Sequence, residues 1–145
     1  MRRHISFYVE GVEGQRRPRA RKVGRAVQLY KPRSDRDREA VIAEAYVEAC
    51  KKARSGPIPA APAGTPVRVS IATRRDVMSA FRKRDGNFQP DTSTPDADNI
   101  AKSVLDALNG LAWADDAQVH ELHIYKLDRE RGAEPKTRVN SEWED

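Results

Sequence analysis

Apolar and polar positions alternate along HISFYVEG, with Ile5, Phe7 and Val9 on one side and Gly11 at the end, which predicts a strand. RAVQLY, at 25–30, reads as a second strand. SDRDREAVIAEAYVEACKKARSG changes period: Val41, Ile42, Ala45, Tyr46 and Ala49 form a stripe at helical spacing. Ser34 is the expected cap, acids fill the first turn, Lys/Arg fill the last, and Gly56 is the expected stop. VRVSIAT turns Val67, Val69 and Ile71 to one side as a third strand. DNIAKSVLDALNG is a second helix, with Ile100, Val104, Leu108 and Leu111 on one face, Asp98 at the N-cap position and Gly110 as the stop. QVHELHIYKL is a strand whose alternation slips between Val119 and Leu122, which predicts a bulge. TRVNSEW is the weakest signal, a last short strand.

Three stretches resist regular structure. Residues 15–33 hold eight Lys/Arg and no acid, punctuated by Pro18, Gly24 and Pro32, and read as an exposed basic loop or a disordered arm. Four prolines at 56–66 exclude a helix and a central strand, which leaves a stiff linker. Residues 74–95 have no clean period. They interleave Arg74, Arg75, Arg82, Lys83 and Arg84 with Phe81 and Phe88, which suits either a phosphate- and base-contacting loop or a solvated connection with an apolar anchor. The whole is α+β: a small mixed β-sheet covered by two main helices, a single domain over residues 1–145.

Composition narrows the class. No apolar run is long enough for a membrane span, and MRRHISFYVEG has no signal-like apolar core, so the chain reads as cytoplasmic. A single cysteine, Cys50, excludes an internal disulfide and reads as a buried small hydrophobe. His4, His120 and His123 lack ligand spacing. The net charge of +5 is uneven: residues 1–36 carry 11 Lys/Arg against 3 Asp/Glu, while the remainder carries 16 against 19. A basic arm beside an acidic body points to a polyanionic partner or to simple solubility.

The acids frame the second helix. Asp96 and Asp98 precede it, and Asp115 and Asp116 follow it. If the return LAWAD runs extended, at roughly 3.3 Å per residue, Asp116 can come back toward Asp96 and Asp98. Three gathered carboxylates repel unless a cation joins them, and hard Mg²⁺ or Mn²⁺ takes oxygen ligands. Such metals serve phosphoryl chemistry, and Lys102, one turn beyond Asp98, can donate to a phosphate oxygen. The competing reading is structural: Asp98 as a cap, Lys102 as its ion-pair partner, Asp115–Asp116 as a turn, Trp113 as a packing anchor.

PDADNIAKSVLDALNGLAWADDAQV, at 95–119, closely resembles the signature of RusA-type Holliday junction resolvases: P-D-x-D-N, a helix with Lys and L-D-A-L-x-G, then D-D-x-Q-V. Upstream, EGVEGQRRPRA and VQLYKPR are similar to the family's N-terminal strand, R-P-R loop and aromatic-Pro segment, so the likeness covers most of residues 5–125. The resemblance implies a RusA-like fold and a homodimeric, Mg²⁺-dependent endodeoxyribonuclease, often of phage or prophage origin. Mn²⁺ is able to substitute. Such an enzyme nicks two opposing strands of a four-way junction symmetrically in recombination and repair. It implies metal ligands Asp96, Asp98 and Asp116, with Asp115 the alternative acid of its pair, a catalytic Lys102, and Asn99 in support. Asp106 receives no chemistry. Arg16, Arg17, Arg19, Arg21 and Lys22, with Arg82, Lys83 and Arg84, are the expected DNA contacts. The chain departs from the pattern at Ala97, where a larger aliphatic is usual, and at Thr94–Pro95, where some members carry an aromatic that Phe88 would have to replace. EPKTRVNSEWED matches poorly. The alternative is a non-catalytic binding module, or a nuclease for flap and other branched DNA on the same scaffold.

Overall fold

A computed structural model describes all residues except 16–18, 31–32, 55, 82–83 and 85, and of 19–21 and 29–30 it describes the backbone alone. The elements are β1 (Arg2–Glu10), β2 (Arg19–Val23), β3 (Ala26–Tyr30), α1 (Arg33–Lys51), β4 (Val67–Arg74), β5 (Phe88–Gln89), α2 (Ala97–Leu108), β6 (Val119–Lys126), β7 (Arg129–Glu130) and β8 (Lys136–Glu144). A single 3₁₀ turn over Asp116–Gln118 precedes β6. The main sheet runs β1-β8-β4-β6, with β4 and β6 parallel and the other neighbours antiparallel. Parallel neighbours need a crossover, and α2 lies in it.

Burial alternates along β1, β4 and β8, so the helices cover one face of this mixed sheet. Ile5, Phe7 and Val9, then Val67, Val69 and Ile71, meet Ile100, Val104 and Leu108 of α2 and Ile42 and Tyr46 of α1 in one core. The α+β reading is what the structure contains. Cys50 is a buried free thiol whose pKa burial pushes up, as an inert core residue requires. The expected bulge is also present: the β4–β6 register slips so that Val67 faces Val119 and Arg68 faces Glu121, with His120 the extra residue.

Four expectations need correction. TRVNSEW is no marginal tail; it lies in the nine-residue β8, paired on both sides between β1 and β4. Its signal is weak because two of its inward positions are Thr137 and Ser141, tolerated where a hydroxyl finds an acceptor: Thr137 Oγ1 donates to the Gly11 carbonyl at 2.8 Å. Within residues 15–33 the expected strand RAVQLY is present as β3, but it pairs with an unexpected β2 in a two-stranded ribbon closed by Gly24 and Arg25. Gly24 has φ +60° and Arg25 a negative φ, the combination of a type II′ hairpin turn. The α1 stripe is Asp35, Arg38, Ile42, Tyr46 and Cys50, while Val41 is 47% exposed. Arg38 is buried because its guanidinium closes the end of β1, donating to the carbonyls of Glu10 (2.6 Å) and Gly11 (3.2 Å). Helix α1 starts at Arg33, so Ser34 is inside it, and it ends at Lys51, before Gly56. The linker at 56–66 is seated on the body, with the Ala61 N–H donating to the Ala112 carbonyl at 2.8 Å.

Candidate active site

Helix α2 begins two residues earlier than an Asp98 cap would place it. Asp96, following the cis peptide Thr94–Pro95, is the N-cap with extended backbone (φ −69°, ψ 152°), and Asp98 sits inside the first turn. The Asp96 side chain makes no capping bond, although its carbonyl accepts from the Ile100 N–H at 3.1 Å. Among the described residues, neither the Asp96 nor the Asp98 carboxylate has a hydrogen-bond or ion-pair partner, and Lys102, one turn on, has none either. All three side chains are exposed. The structural roles open to them, a cap and an i,i+4 ion pair, are therefore unused. Such a pair would add only about 0.3–0.5 kcal/mol on an exposed helix, so leaving it unmade is cheap.

The return from α2 does not run extended. Gly110 takes φ +77°, and the N–H groups of Leu111 and Ala112 both donate to the Leu108 carbonyl, at 3.0 and 2.9 Å. Trp113 is then fully buried in the core cluster, the packing role expected of it, and its Nε1–H donates to Asp116 Oδ1 at 2.8 Å. This anchor divides the acid pair. Asp115 caps the 3₁₀ turn, accepting from the Ala117 N–H (3.1 Å) while Gln118 Oε1 accepts from its own N–H (3.0 Å). Asp116 faces inward. Burial pushes its carboxyl above the ordinary value of 3.8. The Trp113 N–H opposes that shift, and the neighbouring charges of Asp106 and Asp115 add to it.

Asp106 lies on the same stripe of α2 as Asp98 and Lys102, eight residues or about 12 Å beyond Asp98. It accepts from Gln15 Nε2 at 2.6 Å, and the Gln15 N–H donates to the Asn99 carbonyl at 2.9 Å. Gly14 is what lets the chain lie this close: a Cβ there would stand 2.8 Å from Pro95 Cβ and 3.0 Å from Asn99 Cβ. The strand-to-ribbon connection thus crosses α2 beside the acids. The structure brings Asp116 to Asp106, while Asp96 and Asp98 open the helix with Lys102 between. Among the described residues, no three Asp, Glu, His or Cys side chains are gathered closely enough to hold a metal.

A profile of the family described as endodeoxyribonuclease RusA matches residues 11–140. The chain belongs to the RusA family. It is also 35% identical over 82 residues to an uncharacterized protein, YqaN, of Bacillus subtilis (strain 168). That match covers 54% of this chain and 55% of YqaN, so it spans about half of either protein.

In this RusA-family chain the expected DNA contacts fall in two groups. Arg16, Arg17, Arg82 and Lys83 lie outside the described residues, as do the side chains of Arg19 and Arg21 in β2. Lys22 and Arg84 are exposed. Residues 22–28 of the ribbon are all exposed, Arg25 at the turn included. Two further arginines of the second basic segment are engaged within the chain: Arg74 pairs with Glu130 at 2.7 Å at the surface, and Arg75 with the buried Asp91 at 2.8 Å. Phe88, 54% exposed, is in β5, paired to β7. Among the described residues, no helix is long and apolar enough to cross a membrane.

The raised Asp116 carboxyl makes a stability prediction. A carboxyl whose folded pKa exceeds its unfolded value favours folding below the unfolded pKa. That contribution is lost as pH rises through the folded pKa. Asp116→Asn keeps an acceptor for Trp113 and removes the repulsion. In EDTA the variant is expected to melt above the parent at pH 7, with the gain vanishing as pH falls toward 3.8. Thermal melts across that range check it, and an equal gain at all pH values would refute it.

Proposed function

We propose that this chain is a Mg²⁺-dependent, structure-selective endonuclease that resolves four-way DNA junctions by paired, symmetric nicks. The observation that carries the reading is the pair of carboxylates Asp96 and Asp98, with Lys102 one turn beyond, all without a partner among the described residues, at the exposed start of α2 in a RusA-family chain. The donor chemistry fits a hard divalent cation. Asp96 and Asp98 offer oxygens that no protein donor occupies, and Asp116 is a carboxylate whose charge its surroundings penalise and a cation would relieve. Asp96, Asp98 and Asp116 would hold the metal, which when bound supplies an activated water and neutralises phosphate charge.

The chain's own groups do the rest. Lys102 donates to a non-bridging phosphate oxygen as charge develops there. The Trp113 N–H keeps Asp116 oriented. Asn99 holds the Gln15 backbone and with it the path of the ribbon across the site. Water oxygen bonds to phosphorus, the bond to the 3′ oxygen breaks and that oxygen takes a proton, leaving a ligatable 5′-phosphate and 3′-hydroxyl. Lys22 and Arg25 on the ribbon, with Arg84 on the following basic segment, contact backbone phosphates. Two nicks on a pseudo-twofold substrate suit a C₂ homodimer.

The test is cleavage of a synthetic four-way junction beside linear duplex and flap DNA, in Mg²⁺, Mn²⁺ and EDTA. Paired, metal-dependent nicks on the junction are expected, with affinity falling steeply between low and physiological salt. Flap cleavage alone would move the chain to another branched substrate. Tight binding with no cleavage in any metal would make it a binding module.

A further inference from the structure

Just upstream of the acids is a buried charge cluster that the proposed chemistry does not use. Asp91, two residues past β5, has a carboxylate with no solvent exposure. Arg75 grips it through two bonds, Nε to Oδ2 at 3.0 Å and Nη2 to Oδ1 at 2.8 Å. Arg129, in β7, reaches it at 3.3 Å. Both arginines are largely buried, with side chains 17% and 10% exposed. The cluster does not end at the ion pairs. The Nη2 that holds Asp91 also donates to the Thr94 carbonyl at 2.8 Å and approaches that of Ser93 at 3.4 Å, while Lys126 Nζ donates to the Ser93 carbonyl. These carbonyls stand two and three residues before Asp96.

The cations come from rigid places. Arg75 directly follows β4, Lys126 closes β6, and Arg129 also donates to the Asp76 carbonyl at 3.1 Å. The ends of the two parallel strands therefore clamp the segment that delivers the acid pair into α2. Among the described residues Asp96 and Asp98 have no partner to orient them, so their placement depends on the backbone that carries them. We propose that Asp91, through Arg75, Arg129 and Lys126, is a positioning residue that fixes the 93–96 backbone so that Asp96 and Asp98 present their carboxylates together to a divalent cation. This rests on the metal-dependent reading of the site. Outer partners of metal ligands typically change metal affinity about 10–100-fold when removed.

The test uses the full chain, Asp91→Asn, and free Mn²⁺ read by electron paramagnetic resonance. At a temperature where the variant is folded, Mn²⁺ affinity is expected to weaken by about tenfold or more. Amide exchange across 94–98 should quicken, junction affinity in EDTA should hold, and raised Mn²⁺ should restore much of the nicking. If Asp91→Asn does not fold, Lys126→Met leaves the Arg75–Asp91 pair intact, removes the grip on Ser93 and is expected to move affinity and exchange the same way. Unchanged Mn²⁺ affinity in a folded variant would make the cluster merely structural and overturn the proposal. A wild-type chain that binds no Mn²⁺ would take the metal reading down with it. Wild-type binding with unaffected variants would overturn the positioning role alone.

Discussion

Asp98→Asn is expected to lose nicking by about 10²–10⁴-fold, the range typical when a group acting directly at the reacting atoms is removed. Fold and junction binding should stay in place. The carboxylate is exposed and has no partner among the described residues, so its deletion leaves no buried group there unsatisfied. Its remaining structural contribution is a negative charge in the first turn of α2, roughly 0.3–1 kcal/mol through the helix dipole. In a domain of this size that is a shift of at most a few degrees in Tm. Removing a negative charge that faces phosphates should leave junction affinity equal or slightly tighter. Nicking assays in Mg²⁺ and Mn²⁺, melts and gel shifts in EDTA are run on one preparation. A large fall in Tm with lost binding would restore a capping role to Asp98. Full nicking activity would remove it from the site.

Trp113→Ala is expected to have the largest effect on stability. The ring is fully buried, lies beside the Ala61 segment and anchors the return from α2. Truncating so large a core side chain costs about 3–5 kcal/mol, which in this size range lowers Tm by roughly 10 °C or more. The change reaches the site as well, because the Trp113 Nε1–H donates to Asp116 Oδ1. Trp113→Phe separates the two consequences. It retains most of the apolar volume, so the loss of stability should be much smaller, while Asp116 loses the donor that favours its charged form. Melting curves for the pair check the ranking. Equal Tm for Trp113→Ala and the parent would mean that the anchor carries little of the core.

The three carboxylates that match the family signature were legible because they are fixed residues at fixed spacing; among the described residues Asp96 and Asp98 have no hydrogen-bond or ion-pair partner, whereas Asp116 accepts from the Trp113 N–H. What the spacing could not show is how the chain returns. An extended LAWAD would have carried Asp116 toward Asp98. The left-handed Gly110 and the buried Trp113 coil it instead, and Asp106, a residue with no chemistry assigned from sequence, adds its charge to the surroundings of Asp116. The roles of Gln15, Gly14 and Asp91 were equally hidden, since each depends on a partner distant in the chain: Asp106 for Gln15, Pro95 and Asn99 for Gly14, Arg129 for Asp91.

By itself, the sequence determined the class and most of the elements. Strict alternation in HISFYVEG and VRVSIAT and the apolar stripe of NIAKSVLDAL are local signals, strong enough that packing had only to agree with them. The family motif and the basic arm were also written locally. Tertiary structure decided the rest. It made the weakly apolar TRVNSEW a central strand, because pairing on both sides and the bonded Thr137 hydroxyl offset a poor pattern. It turned Arg75 from a candidate phosphate contact into the holder of a buried carboxylate. It split Asp115 from Asp116, one capping a turn and one facing the site. For β8 and Arg75 the deciding energy is a hydrogen bond or an ion pair between residues distant along the chain, made worthwhile by burial, which no pattern of neighbours records. For the acid pair the bonds are local, to Ala117, Gln118 and Trp113, and the burial of Trp113 in the core decides which acid turns inward.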